Sequence, residues 1–122
     1  MDTDRKIAFL EQYGVDARTS IENMMGIETY DEIMNDFYDS LPQELSKIDN
    51  FKNIGDMSNY AILVHAMKSN ARSFGFTKLG DIAYAHEMAS KANDVNYVNE
   101  HYNEFLNAVK EVQEIISKYK TI

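Results

Sequence analysis

The sequence predicts an all-α protein, an antiparallel up-down-up-down four-helix bundle with two short N-terminal helices ahead of it. Three observations lead there. Apolar residues recur mainly at intervals of three and four, the period of amphipathic helices. Only Pro42 and five glycines interrupt the chain, and several of those glycines follow a periodic stretch, where a helix would stop. Four of the stretches are long enough to pack side by side and are joined by short turns.

Taken in order, the first short helix is expected from about Asp4 to Tyr13, ending at Gly14, and the second from about Asp16 to Met25, ending at Gly26. Each glycine sits where a left-handed cap would form. Thr29 followed by Glu32 reads as a capping box that opens a third helix. Its buried stripe would be Tyr30, Ile33, Met34, Phe37, Tyr38 and Leu41. Pro42 is expected to kink or restart this helix, since it lacks the N–H that the helix interior needs. Leu45 and Ile48 carry the stripe on to a turn at Asn53-Ile54-Gly55-Asp56.

Ser58 is the expected N-cap of a fourth helix through Phe74. Gly75-Phe76-Thr77 then turns the chain into a fifth, from about Lys78 to Ala92. So short a connection makes antiparallel neighbours of the two. Asn93-Asp94 closes that hairpin. In the last helix Val98, Tyr102, Phe105, Val109, Val112, Ile116 and Tyr119 alternate by four and three, the spacing of a bundle seam. The bundle core is placed at about residues 28–119, and no internal repeat or low-complexity segment is evident.

At 122 residues the chain is long enough for one domain with a modest core and too short for a second catalytic module. With 20 acidic and 12 basic residues it carries a net charge of -8, which would repel nucleic acid and anionic membrane surfaces. Both partner classes are set aside. The absence of cysteine rules out disulfides and zinc-thiolate sites. Apolar runs such as Tyr60 to Val64 are too short to span a membrane, and Met1-Asp2-Thr3-Asp4 lacks the pattern of a signal peptide. A cytoplasmic protein is therefore expected.

The fourth helix carries the chemistry. At roughly 100° per residue, Tyr60, Leu63, Met67, Asn70 and Phe74 fall within about 40° of the direction opposite His65, so the imidazole is expected to point away from the core. Ala61, Lys68, Ser69 and Arg72 lie within about 60° of His65 on the same wheel and would form an exposed strip with it. A neutral imidazole is a good nucleophile towards phosphorus, and exposure suits that role because a partner must bring the phosphoryl donor to the nitrogen. Lys68, one turn on, can reach the oxygens of a phosphoryl group on His65, and Arg72 extends the positive field. The small side chains of Ala61 and Ser69 leave room for another protein, while Gly75 permits the tight turn into the fifth helix.

These residues, His65-Ala66-Met67-Lys68-Ser69-Asn70-Ala71-Arg72-Ser73-Phe74-Gly75 followed by Leu79, resemble the motif of the histidine phosphotransfer (HPt) domains of multistep phosphorelays. The histidine, the lysine three later and the glycine ten later match. Against the common His-x-Leu-Lys-Gly-Ser pattern, Met67 stands for leucine, Ser69 for glycine and Asn70 for serine. Upstream, Gly26, Tyr30, Ile33, Met34 and Phe37 look like the family's preceding helix, and the resemblance covers most of residues 14–118. It implies a helical bundle in which His65 takes a phosphoryl group from an aspartyl phosphate on a receiver domain and Lys68 helps to hold it. The implied partners are receiver domains of a hybrid histidine kinase or of a response regulator. No cofactor is expected on the chain itself, and any magnesium would by resemblance sit in the receiver's acidic pocket.

The docking face is expected around His65, with Ala61, Val64, Lys68, Ser69 and Arg72 contributing. Such transient contacts are small, so a monomer is expected. The chain lacks a glycine-rich phosphate loop with its lysine and the nucleotide-binding boxes of histidine kinases, so it would not phosphorylate itself from ATP. Met1 and the lack of an evident linker favour a stand-alone protein over a piece of a hybrid sensor kinase. His86 shares a stripe with Leu79, Ile82 and Ala83 and is expected to be a partly buried, hydrogen-bonded residue, while His101 flanks the last seam and is expected in solvent. No two histidines have the i, i+4 spacing of a helical metal site, and methionine and aromatic residues fill the stripes as core. The alternative reading is a non-catalytic bundle that docks on a receiver without carrying phosphate.

Overall fold

The structure, a computed structural model, describes residues 2–122 and is all-helical over them. Seven helices follow one another: α1 (Asp2–Gln12), α2 (Ala17–Asn23), α3 (Ile27–Ile54), α4 (Met57–Phe74), α5 (Thr77–Lys91), α6 (Val95–Glu100) and α7 (Tyr102–Tyr119). α4 packs most extensively against α5, α3 lies against α4 and α7, and α5 lies against α7, so these four enclose the core. α1 packs on α7 and α2, and α2 bridges α3 and α4.

Tyr30 of α3 donates its hydroxyl hydrogen to the Phe74 carbonyl at the far end of α4, at 2.8 Å, with the two rings edge to face. At the other end of α3 the Lys52 ammonium lies 4.5 Å from the centre of the Tyr102 ring on α7. Tyr30, Tyr60, Phe74 and Phe105 are the largest fully buried side chains, each contributing roughly 1.5–3 kcal/mol through removal of apolar surface from water. The seam of the last helix is buried at all seven expected positions, from Val98 to Tyr119.

Several local expectations are corrected. α3 runs unbroken through Pro42, because Leu41 and Ile48 on either side remain fully buried and their packing outweighs the lost N–H bond. Its N-cap is Gly26, and Thr29 lies inside the first turn. The left-handed position ending α2 falls on Met25, with φ of 64°, while Gly26 adopts φ of 128°. α4 is capped by Asp56, whose carboxylate accepts from the Asn59 backbone N–H at 3.1 Å, and Ser58 sits within the helix. The last helix is split at His101, whose carbonyl accepts from His86 Nε2 at 3.1 Å.

Gly75 makes the α4–α5 turn possible for two reasons. Its φ of 91° is left-handed, and a Cβ there would lie 2.1 Å from the Asp16 carbonyl oxygen. That close approach is bonded as well, since the Asp16 N–H donates to the Gly75 carbonyl at 3.0 Å. Among the described residues no helix is long and apolar enough to cross a membrane.

Candidate functional site

The buried face of α4 is rotated from the one the wheel predicts. Met57, Tyr60, Ala61, Val64, Met67, Ala71 and Phe74 are buried, whereas Leu63 is only half-buried and Asn70 is exposed. The reason is that α4 packs against α3 and α2 as well as most extensively against α5, so its covered arc is wider than a single stripe and takes in Val64 and Ala71. Val64 is therefore core and presents no docking surface, and Ala61 is buried beside it. His65 lies at the rim of this face, roughly 40° from Ala61 and 60° from Lys68, instead of diametrically opposite the core.

Its side chain is 55% exposed and turned towards α5, where Nδ1 meets Glu87 Oε2 at 2.7 Å. Sequence reasoning passed over Glu87 because a carboxylate on an amphipathic helix is ordinarily solvated. It is 2% exposed. α5 buries an unusually wide face, Leu79, Gly80, Ala83, His86, Glu87 and Ser90, because it contacts both α4 and α7. The signal in the sequence is the spacing of Gly80, Ala83, Glu87 and Ser90, three small residues and one acid on a single stripe at intervals of three and four.

The carboxylate is satisfied on both oxygens. Oε1 accepts from Lys68 Nζ at 2.7 Å, and Oε2 accepts from Lys91 Nζ at 2.7 Å as well as from the imidazole. Burial alone would push the Glu87 carboxyl up, but hydrogen bonds from Lys68, Lys91 and His65 outweigh it and hold the group at about 2. Glu87 is thus ionised across the neutral range and can only accept. His65 Nδ1 must then carry the proton, which in the neutral ring leaves the lone pair on Nε2.

Lys68 is not the free surface charge of the predicted strip. Only 14% exposed, it lies between Glu87 and the Tyr84 ring, whose centroid is 5.3 Å away. Arg72 flanks the same ring at 5.4 Å and reaches Asp81 at 3.5 Å, so it braces α4 against α5. Ser69 is exposed, and its carbonyl accepts from the Ser73 hydroxyl. An open groove lined by Ser58, Ala61, Ile62, His65, Glu87, Ser90 and Lys91 runs beside the imidazole. Ile62, Tyr84 and Met88 are large exposed hydrophobic side chains of α4 and α5 near it.

His86 is fully buried. Because the His101 carbonyl only accepts, Nε2 carries the hydrogen, and Nδ1 accepts from the Tyr60 hydroxyl at 2.8 Å. Desolvation lowers its pKa and keeps it neutral. His101 is half-buried and stacks on Tyr97, with centroids 4.1 Å apart, instead of lying free in solvent. Among the described residues no three His, Asp or Glu side chains are grouped to hold a metal ion.

The fold and the site together define a helical bundle bearing a half-exposed imidazole held by a buried carboxylate between two lysines. The family model of the Hpt domain matches residues 32–115, and the chain belongs to that family. The match contains His65, Lys68, Gly75 and Glu87. Hpt domains serve histidine phosphotransfer in two-component phosphorelays and interact there with receiver domains. Neither a curated protein nor a solved structure matches the chain.

Proposed function

We propose that this protein relays a phosphoryl group between aspartates of receiver domains through phosphohistidine at His65. The observation that carries the proposal is the 2.7 Å contact from His65 Nδ1 to the ionised, buried Glu87, made by an imidazole that is itself 55% exposed and lines the open groove. The carboxylate selects one tautomer and one ring orientation, as the acid of a catalytic triad does for its histidine.

In the first step the Nε2 lone pair attacks the phosphorus of an aspartyl phosphate on one receiver. The N–P bond forms as the bond to the aspartyl oxygen breaks, and that carboxylate leaves with the electron pair. The ring keeps its Nδ1 proton and becomes positively charged, a charge that Glu87 stabilises through the bond it already makes. Because the phosphorylated ring stays protonated, it remains a good leaving group, and the aspartate of a second receiver takes the phosphoryl group by the reverse displacement. Lys68 keeps Glu87 ionised and adds positive charge to the site that receives the phosphoryl group. Magnesium would be held by the receiver.

The docking face is the α4–α5 surface around His65, where exposed Ser69 and Arg72 are joined by Ile62, Tyr84 and Met88. The bundle is taken as antiparallel up-down-up-down, supported by pairs that run in opposite senses, such as Tyr30 with Phe74 and Arg72 with Asp81. A monomer in the cytoplasm, meeting its partners transiently, fits this reading.

The test is to incubate the protein with a phosphorylated receiver domain and follow the label. Transfer to the wild-type chain and none to His65→Gln is the expected result. Undiminished transfer to His65→Gln would overturn the assignment, and receiver binding with no transfer to either would favour a docking bundle that carries no phosphate.

A further inference from the structure

We infer that Lys91, not Lys68, is the cation that takes hold of the phosphoryl oxygens once His65 is phosphorylated. This rests on the phosphohistidine reading above. Both lysines bond Glu87, but their situations differ. Lys68 is 14% exposed, bonds the oxygen that faces away from the imidazole's own hydrogen bond, and is confined against the Tyr84 ring. Lys91 is 58% exposed, bonds the same oxygen as His65 Nδ1, and lines the open groove beside the imidazole. Only one carboxylate oxygen separates its ammonium from the ring.

Taken alone, Glu87 and Lys91 are an ordinary i, i+4 helix pair of small effect. What sets the pair apart is the change in charge that phosphorylation brings. The site that attacks holds one carboxylate and two ammonium groups around a ring whose Nε2 lone pair is free. Attack by Nε2 on phosphorus forms the N–P bond, expels the donor's leaving group with its electron pair, and leaves the ring cationic with about two negative charges on the phosphoryl oxygens. Glu87 Oε2 then has the cationic Nδ1–H as its partner and no longer needs Lys91. The phosphoryl group needs a cation, and Lys91 is the one with a flexible, uncovered stem in the same groove. With Lys68 still on Glu87 and Lys91 on the phosphoryl group, the charges of the site cancel. Arg72 is occupied by Asp81 and Tyr84 and does not compete.

The full chain can be loaded without a receiver by a small P–N donor, phosphoramidate, whose P–N bond breaks with loss of ammonia. Phosphohistidine is followed by phosphorus NMR after the donor is removed. Lys91→Ala and Lys91→Gln are expected to shorten the phosphohistidine lifetime by about fivefold or more, the scale of one lost bond between charged groups. Lys91→Arg should restore most of it. In the wild type the Lys91 side-chain ammonium resonance should move on loading, while that of Lys68 stays, a response that a merely structural lysine would not give. Wild-type chain that loads on His65 and a Lys91→Ala variant of equal lifetime would overturn this inference alone. A wild-type chain that fails to load on His65 would overturn the phosphohistidine reading and this inference with it.

Discussion

Glu87 Oε2 accepts the Nδ1 hydrogen of His65 at 2.7 Å from a position almost wholly removed from solvent. A buried carboxylate is costly unless its oxygens are paired, and here two lysines and the imidazole pair them. The arrangement joins packing to reactivity. α5 must lie close enough on α4 to bury Glu87, and the bond that Glu87 makes fixes which ring nitrogen carries the hydrogen.

Glu87→Gln keeps the size of the side chain and removes the charge. The amide can still accept from Nδ1, but it no longer stabilises the cationic ring of the phosphorylated state. Phosphoryl acceptance by His65 should slow at least about tenfold. The rate of label transfer from a phosphorylated receiver, compared at equal folded protein, decides it, and an unchanged rate would remove Glu87 from the mechanism.

Acid should destabilise the fold in two stages. His86 is held neutral below its ordinary 6.5, so the unfolded chain protonates there first and stability falls as pH drops below 6.5. The Glu87 carboxyl lies at about 2 in the fold against 4.5 ordinarily. Its contribution is present in full above 4.5 and is lost as pH falls through about 2. Denaturation midpoints measured against pH should therefore show the wild type's advantage over Glu87→Gln shrinking within that window, and a constant difference would contradict the assignment.

Tyr60→Phe removes the hydroxyl that donates to His86 Nδ1 in the core. A buried acceptor left without its donor costs about 1–2 kcal/mol. Urea denaturation should register that loss while the rate of phosphoryl acceptance stays within about twofold, since Tyr60 and His86 are both fully buried and neither lines the groove beside His65. Slowed transfer at unchanged stability would place His86 in the chemistry instead.

Two left-handed glycines separate strain from overlap. Gly14 has φ of 77° with open space around its missing side chain, so Gly14→Ala should cost about 1–2 kcal/mol. At Gly75 the new methyl would also run into the Asp16 carbonyl, and Gly75→Ala should cost more, at least about 3 kcal/mol. Equal thermal shifts for the two variants would show that the α2–α4 contact is soft.

Much of this was legible in the sequence because it is periodic. The seam from Val98 to Tyr119 and the turn at Gly75 follow from spacing and backbone chemistry alone. Residues that depend on a neighbouring helix were harder to place. Val64 stands about 80° from the stripe that the wheel draws opposite His65, and it is buried because α4 packs against more than one neighbouring helix. Pro42 reads as a break because local chemistry says so, and tertiary packing overrides it. Glu87 was missed for a related reason. Its charge marks it as solvent-facing until Lys68, Lys91 and His65 are brought around it, and that convergence belongs to three-dimensional structure.

In the proposed relay His65 receives the phosphoryl group on Nε2 while Glu87 keeps the proton on Nδ1. Nitrogen-15 NMR of the histidine-labelled protein after phosphorylation by a receiver tests it most directly. The expected result is a phosphorus coupling on His65 Nε2 with Nδ1 still protonated and His86 and His101 unchanged. A phosphoryl group on His65 Nδ1, or on another residue with the His65 signals unmoved, would contradict it.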